Sequence, residues 1–350
     1  MSSPRPLALV TGASSGIGRA LAGLLARDGH DLIVVARRAE RLEALAAELR
    51  SQAGSQVEVV VADLTDEADL ARLAARVAAE ERLALLVNNA GFSGYGPFAE
   101  IEADVLRRVV AIHVTTPATL VRAALPGMIA RGTGAVINIA SLLALSGPLR
   151  LGMAGRATYS GAKSFQLVFT QALAAELEGS GVRAMVCLPG MVVSEFHGSR
   201  QLAGRPGMPP LMSSEDCARA IVAGLALGEV VCVPGLEDAP AFFERFRELQ
   251  QETLAAGNAT GRLARRYGGD DAGRYTRAAK RGALDLQPES GRFTLRIFAQ
   301  SPGVPPSPRR RSSRQLAACS TSTSRLLRSR VVICSSQRSS VTERLPHPMR

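Results

Sequence analysis

Tyr159 and Lys163 stand four residues apart in Tyr159-Ser160-Gly161-Ala162-Lys163. On a helix that spacing puts both side chains on one face. A free phenol, with a pKa of ~10, is a poor base at neutral pH, and a neighbouring ammonium favours its phenolate form. Such a pair can take a proton from an alcohol or return one to a carbonyl oxygen. Ser141, at the end of a predicted strand, can donate a hydrogen bond to the same oxygen as charge develops there. A tyrosine and a lysine at this spacing arise by chance on many helices, so the weight of the pair depends on its surroundings.

A second constellation lies near the N-terminus, in Thr11-Gly12-Ala13-Ser14-Ser15-Gly16-Ile17-Gly18. A dinucleotide pyrophosphate needs a sharp bend, close approach of backbone N–H groups, and a helix pressed against the sheet. Glycine serves all three because it lacks a Cβ. The position of this turn, at the first strand-to-helix junction of a βαβ unit, separates it from an ordinary tight turn. The second strand ends in Ala36-Arg37-Arg38, with no acid before Glu40. An acid at that place would accept from both ribose hydroxyls of NAD; guanidinium groups suit a 2′-phosphate instead. The expected cofactor is therefore NADP(H), with Arg37 the main contact and Arg38 secondary. NAD(H) stays open, since both arginines could simply be solvated.

The elements that must position these residues follow a regular alternation. Candidate strands are Leu7–Val10, Asp31–Ala36, Val57–Ala62, Ala84–Asn88, Ala135–Ala140, Arg183–Leu188 and Val230–Val233. Helical patterns run over Ile17–Asp28, Ala39–Arg50, Glu67–Ala79, Ala103–Ala130, Ala157–Glu178 and Ser214–Leu227. The strands are continuous apolar runs, as helix-covered parallel strands should be. The expected fold is a single doubly wound α/β Rossmann domain with a seven-stranded parallel sheet. Asp66 and Ser214 suit helix N-caps, and Gly54, Gly132 and Gly181 suit helix ends. Ala239–Ala256 reads as one further amphipathic helix, carrying Phe242, Phe243, Phe246 and Leu249. The expected organisation is residues 1–257 as the nucleotide-binding catalytic domain, 258–283 as a basic, weakly helical extension, and 284–350 as a disordered Arg/Ser/Pro-rich tail.

Composition limits the function classes. Hydrophobic residues make up 46% of the chain, enough for a sizeable core, with 4% aromatics and no Trp. The net charge of +11 resides in the tail: residues 291–350 hold 12 arginines against one acid, Glu343, so the rest sums to zero. That argues against nucleic acid as a partner of the folded body, and no aromatic stacking platform accompanies the charge. The five cysteines (Cys187, Cys217, Cys232, Cys319, Cys334) form no C-x-x-C pair, and buried free thiols are expected. His30, His113, His197 and His347 lack ligand spacing, so no metal is expected. No secretory pattern and no membrane span is evident, and a cytoplasmic location is the default.

With Asn88-Asn89-Ala90-Gly91 after the fourth strand and Pro189-Gly190 after the sixth, the sequence resembles the classical short-chain dehydrogenase/reductase family over about Leu7 to Val233. The marks are the T-G-x-x-x-G-I-G turn, N-N-A-G, the strand-end serine, Y-x-x-x-K and the Pro-Gly loop, in that order. The resemblance implies hydride transfer between a nicotinamide and a carbonyl or secondary alcohol, with Tyr159 as acid/base beside Ser141 and Lys163. It implies that Lys163 also bonds the nicotinamide ribose and that Thr11, Gly12, Ser14, Ser15, Gly16, Ile17 and Gly18 hold the pyrophosphate. It further implies that Asp63 and Leu64 meet the adenine and that Asn89, Ala90 and Gly91 lie along the cofactor. Pro189, Gly190, Val192 and Ser194 would form the loop beside the nicotinamide amide. A homodimer or homotetramer is also implied.

Two departures stand out. Where the family has an asparagine that holds a relay water, this chain has His113. An imidazole can hold a water or shuttle a proton, though a lone histidine on a helix is more often a packing residue. The stretch from Ser141 to Tyr159, with Pro148, Arg150, Gly152, Gly155 and Arg156, is long and predicts a lobe over the substrate mouth. Between Met191 and Ser213 glycine, proline and methionine suggest a substrate loop. Phe196, Leu202, Met208, Leu211 and Met212, opposite Leu142, Leu143 and Leu145, predict an apolar pocket for a ketone, aldehyde or secondary alcohol. The rivals are a 3-oxoacyl thioester reductase and a non-catalytic, redox-sensing cofactor-binding protein.

Overall fold

The computed structural model describes residues 4–149, 155–196, 211–259 and 264, and the backbone of 284–289 and 292–297. Seven parallel strands form one sheet: β1 (Leu7–Thr11), β2 (Asp31–Ala36), β3 (Val57–Val61), β4 (Leu83–Asn88), β5 (Gly134–Ile139), β6 (Val182–Cys187) and β7 (Val231–Cys232). Their spatial order is β3-β2-β1-β4-β5-β6-β7. The order therefore reverses between β1 and β4, whose register pairs Val10 with Val87. Ligands of open α/β sheets bind in the crevice at such a reversal, outside the carboxyl ends of the strands.

Because side chains alternate along a strand, β1 feeds two cores. Ala8 and Val10 face the cluster containing Leu21, Leu25, Leu42, Leu45 and Ile221. Leu7 and Leu9 face the other, with Leu70, Leu73, Leu120, Met128 and Leu173. The helices that cover the faces are α1 (Gly16–Arg27), α2 (Ala39–Ala53), α3 (Glu67–Ala78), α4 (Ala103–Val110), α5 (Thr116–Arg131), α6 (Ala157–Glu176), α7 (Ser214–Leu227) and α8 (Ala239–Asn258). A π-helical turn, Ala111–Thr115, joins α4 to α5 without a break. The combined 29-residue helix is long and apolar enough to pass as a membrane span by composition, although none was expected. Its Leu120, Val121, Ala124 and Met128 are buried in the sheet's core.

The caps explain several boundaries. Asp66 accepts the N–H groups of Ala68 and Asp69 at the start of α3. At α7 the cap is Ser213, which accepts the Asp216 N–H, and not the expected Ser214. Ser214 instead donates its hydroxyl to the Val193 carbonyl at 2.9 Å. Two adjacent serines before the same acids made the choice a one-residue ambiguity. Gly54 and Gly132 end α2 and α5 in the left-handed conformation. Cys187, Cys217 and Cys232 are buried free thiols; Cys319 and Cys334 lie outside the described residues.

The chain divides into two units, Met1–Thr260 and Gly261–Arg350. In the second, β8 (Leu284–Glu289) and β9 (Arg292–Ile297) form an antiparallel pair. No element was expected there; the two strands lie within the 284–350 stretch read as a disordered tail. Leu284 and Leu286 alternate on one strand, opposite Ile297 and Leu295 on the other, with Ser290-Gly291 between them. That is a hairpin pattern, hidden within a tail of biased composition. The rest of the tail, and all of the 258–283 extension but its first two residues and Ala264, lie outside the described residues.

Candidate active site

The glycine turn takes its shape from crowding. Gly12 has φ +68°, and a Cβ there would meet Asn89 Nδ2 at 2.7 Å and Ala90 Cα at 2.9 Å. Gly18 has the Gly12 carbonyl and the Asn89 amide in the place a Cβ would need. Thr11 braces the turn from inside: its hydroxyl donates to the Val87 carbonyl and accepts the N–H groups of Asn89 and Ala90 at 2.9 and 3.0 Å. Asn89 Nδ2 donates to the Thr11 carbonyl at 2.9 Å. Thr11 and Asn89 thus tie the carboxyl ends of β1 and β4 together at the topological reversal.

Ser15 precedes α1 but makes no side-chain cap; its hydroxyl accepts from Arg38 Nη2 at 2.8 Å. Beside this helix start lies a cleft of about 680 Å³, lined by Ser14, Ser15, Gly16, Arg19, Arg41, Ser194 and Glu195 among others. A close-packed glycine bend, an uncapped helix start and a fringe of arginines fit the phosphates of a dinucleotide. Ile17 is half-buried against the core beside this turn.

On the adenosine side the two expected arginines diverge. Arg37 lies 3.7 Å from the Asp63 carboxylate and is largely exposed. Arg38 reaches back over the glycine turn, donating to Ser14 Oγ at 2.8 Å and to Glu195 at 2.6 Å. Glu195 is also paired with Arg41 at 2.7 Å, and these two guanidinium groups hold its carboxyl down to about 2. Burial pushes the Asp63 pKa up, but the N–H and hydroxyl of Thr65, with Arg37 and Arg108, outweigh it and keep the group below its ordinary value. Leu64 is a core residue, 4% exposed, and its carbonyl accepts the Thr116 hydroxyl at 2.7 Å. Its side chain serves packing in the core.

Tyr159, Ser141, Lys163 and His113 come together at the carboxyl ends of β4 and β5. Ser141 caps the 3-10 turn Leu142–Leu145, accepting the Leu143 N–H at 3.2 Å, and is hydrogen-bonded to the Tyr159 hydroxyl. Lys163 Nζ lies 5.7 Å from the Tyr159 ring centroid and donates to the Ile139 carbonyl at 2.7 Å and to Gln166 Oε1 at 2.9 Å. Burial pushes the Tyr159 phenol above its ordinary value; Tyr95 adds to this and the Ser141 bond opposes it. Burial brings Lys163 down to about 7. In this arrangement burial, and not the lysine charge, dominates the tyrosine, which reverses the direction expected from the pair alone. The reason is depth: Tyr159 and Lys163 are 4% and 3% exposed, and desolvation penalises whichever form carries charge.

His113 sits in the π turn, wholly buried. Such turns recur at functional sites. Its Nε2 lies 2.8 Å from the Phe92 carbonyl, so Nε2 carries the proton, and Nδ1 is a buried acceptor without a partner. Burial, then the Lys163 charge, hold its pKa well below 6.5 against the Phe92 bond; the ring is neutral. It meets Tyr159 edge to face at 5.3 Å between centroids, and its Cε1 fills the space a Cβ on Gly91 would need. Contacts thus run without a gap from Gly12 through Asn89, Ala90, Gly91 and His113 to Tyr159.

Tyr95 and Phe196 complete an aromatic wall, with centroids 5.4 and 6.1 Å from that of Tyr159. Burial raises the Tyr95 pKa to about 12, against the nearby Arg156 charge. The loop from Pro189 to Ser194 closes the other side. The Pro189 carbonyl accepts the Leu142 N–H at 3.0 Å, Gly190 lies against Leu142, and Ser194 lies against Gly16. Val192 is buried and bridged to Met212. Arg156 pins the lobe after β5 by donating to the Ser146 carbonyl at 3.0 Å and to the Leu149 carbonyl. Arg150 and Gly152 of that lobe, and Leu202 and Met208 of the expected pocket, lie outside the described residues. Sequence reasoning missed Arg41, Tyr95, Glu195 and Gln166. Of these only Gln166 had a readable signal: it continues the Tyr159–Lys163 face by three residues. Among the described residues no group of three or more His, Cys, Asp or Glu is arranged to hold a metal ion.

Comparison with known proteins agrees with this architecture. The family model for short chain dehydrogenase matches residues 6–203. An uncharacterized oxidoreductase of Myxococcus xanthus is 36% identical over 223 residues, 63% of this chain and 84% of that protein. Among solved structures, a short-chain dehydrogenase from Sphingobium yanoikuyae in complex with NADPH superposes with a TM-score of 0.69 at 34% identity, covering 75% of this chain and 100% of its own. The bulky-bulky ketone specific alcohol dehydrogenase from Comamonas testosteroni gives 0.66 at 31% identity, covering 76% and 99%. The chain belongs to the short-chain dehydrogenase/reductase family of oxidoreductases.

Proposed function

We propose that this protein is an NADP(H)-dependent carbonyl reductase, acting on an apolar ketone or aldehyde with Tyr159 as the proton donor. The observation that carries the reading is the buried set of Tyr159, Ser141 and Lys163, linked by unbroken packing to a glycine turn shaped for a pyrophosphate. NADP(H) is favoured by Arg37 and Arg38 at the end of β2, where no acid stands. The NADPH held by the Sphingobium relative supports the same choice.

The cofactor supplies the hydride at its nicotinamide C4 when bound. Ser14, Ser15 and the first turn of α1 would hold its pyrophosphate, and Pro189 to Ser194 would lie beside its amide. Ser141 donates to the carbonyl oxygen and stabilises the charge that grows there. Tyr159 hands its proton to that oxygen. A phenol kept protonated by burial is well suited to the task, because an alkoxide is a far stronger base than any phenolate. The resulting phenolate is then met by the Lys163 ammonium beside its ring. His113 offers its buried, neutral Nδ1 as an acceptor, a place where a bridging water can be held. The aromatic wall of Tyr95 and Phe196, and the half-exposed Leu142, favour a bulky apolar substrate; the ketone specificity of the Comamonas relative points the same way.

The test is NADPH consumption against a panel of bulky aliphatic and aryl ketones and aldehydes, with Tyr159→Phe as control. Turnover should fall by at least a thousandfold in the variant while NADPH binding persists, an effect at the upper end of acid–base contributions of ~10²–10⁴-fold. Tight NADPH binding without oxidation by any panel member would overturn the catalytic reading.

A further inference from the structure

Lys163 is a buried cation, and three N–H groups must be accounted for. The Ile139 carbonyl takes one at 2.7 Å and Gln166 Oε1 a second at 2.9 Å. We propose that Gln166 is a positioning residue for the reaction: its side-chain oxygen, with the Ile139 carbonyl, holds the Lys163 ammonium charged and in place, so that the third N–H serves the phenol and the cofactor. This rests on the reading of Tyr159 and Lys163 given under the proposed function.

Three observations carry it. First, Gln166 is 2% exposed on the inner face of α6, where packing alone would call for an apolar side chain. Burying an amide is unfavourable without a partner, and the partner that its oxygen has is the ammonium. Second, the orientation is dictated: an amide nitrogen turned to Lys163 would set donor against donor. Third, the residue is anchored from below by a buried polar line. Asn88 Nδ2 donates to Asn138 Oδ1 at 2.9 Å, Asn138 Nδ2 to Thr170 Oγ1 at 2.8 Å, and Thr170 Oγ1 to the Gln166 carbonyl at 2.6 Å. Tyr159, Lys163, Gln166 and Thr170 therefore form one polar stripe at helical spacing, tied to β4 and β5.

The ammonium has little else to stabilise it. The titratable groups facing it are Tyr159 on its own helix and His113 on the π turn, with Tyr95 beyond the tyrosine; all are neutral in this arrangement. From β5 it meets a backbone carbonyl, and at the end of that strand the Ser141 hydroxyl. With its pKa already near 7, the loss of one acceptor must drive the lysine to its neutral form at lower pH. A neutral amine no longer offsets the phenolate, so the alkaline limb of activity follows the acceptor.

The experiment is the pH profile of kcat/KM for NADPH-dependent carbonyl reduction in wild type, Gln166→Met and Gln166→Glu. Removing a hydrogen bond to a charged group should move the alkaline limb of Gln166→Met down by about one to two pH units, with little loss on the acid side. In Gln166→Glu a carboxylate replaces the amide oxygen, and the limb should move up. If Gln166→Met fails to fold, the upward shift in Gln166→Glu decides alone. Two variants whose activity is scaled by a pH-independent factor, with the limb unmoved, would overturn the role of Gln166. Tyr159→Phe separates the two ideas: full activity in that variant removes the underlying reading, whereas a dead variant beside an unmoved limb removes only Gln166.

Discussion

Replacing Lys163 with methionine keeps the reach of the side chain and deletes its charge. The ammonium lies 5.7 Å from the centroid of the Tyr159 ring. Two unit charges ~6 Å apart interact by about 3 kcal/mol at an effective dielectric constant near 20. If the transition state carries most of the phenolate charge, that energy corresponds to about two decades in rate. The lysine titrates near 7, and the sign follows from its being a base. Below that value it is charged and assists, and as pH rises through it the ammonium disappears. The expected loss in Lys163→Met is therefore ~100-fold one unit below the lysine's pKa and much smaller two units above, where the wild type has lost the same charge. The assay is the initial rate of NADPH oxidation at saturating NADPH over a range of ketone concentrations, reported as kcat/KM for the ketone, since that ratio follows groups of the enzyme before the ketone binds. The variant leaves the Ile139 and Gln166 oxygens without their donor, so its thermal unfolding must be recorded alongside. A loss below tenfold, or one that does not vary with pH, would refute the electrostatic role.

Arg37→Ala and Arg38→Ala should each raise the Kd for NADPH by ~10-fold or more and leave NADH within about threefold, as charge-assisted bonds of ~1.5–3 kcal/mol are lost with the 2′-phosphate; isothermal titration with both cofactors decides. Gly12→Ala, at φ +68° and against Asn89 Nδ2, should weaken NADPH binding more than tenfold through ~1–3 kcal/mol of backbone strain; an unchanged fluorescence titration would contradict this. His113 is neutral in the fold because its pKa is depressed below 6.5, so the unfolded chain takes up a proton there first as pH falls. Its contribution to stability is whole above about 6.5 and declines below it, by at most ~1.4 kcal/mol per pH unit. In urea titrations from neutral to mildly acid pH, His113→Asn should lose less stability than wild type; equal slopes would exclude the effect.

What could be read in the residues, and what could not, divides on physical lines. The glycine turn and the Tyr159–Lys163 pair were visible because each is local: a bend that rejects a Cβ and two side chains one helical turn apart. The seven strands were visible as apolar runs, with ends within one or two residues. The partners of Arg38 were not, since Glu195 arrives from the loop after β6, far along the chain. Tyr95 was hidden for the same reason, in a loop whose approach to Tyr159 depends on how β4 meets α4. Gln166 lay in plain sight at helical spacing, yet a search for apolar periodicity passes over a buried polar face. The β8–β9 pair lies where a tail was read: its alternation is regular, but the arginines and serines around it spoke for disorder.

Burial is the common term behind the chemistry proposed for this site, and it acts in opposite senses on the two partners. It holds the proton on Tyr159 and loosens the proton on Lys163. A site so arranged stands ready as an acid, because the phenol needs no prior ionisation, whereas alcohol oxidation must begin from a phenolate that burial disfavours. Raising the pH does not repair this for the reverse direction. The lysine loses its charge long before the tyrosine loses its own proton, so the phenolate would form beside a neutral amine. The two directions should therefore share an alkaline limit set by the lysine and not by the tyrosine. That limit is adjustable through whatever oxygen atoms hold the ammonium, and α6 carries one of them three residues past the lysine, at Gln166.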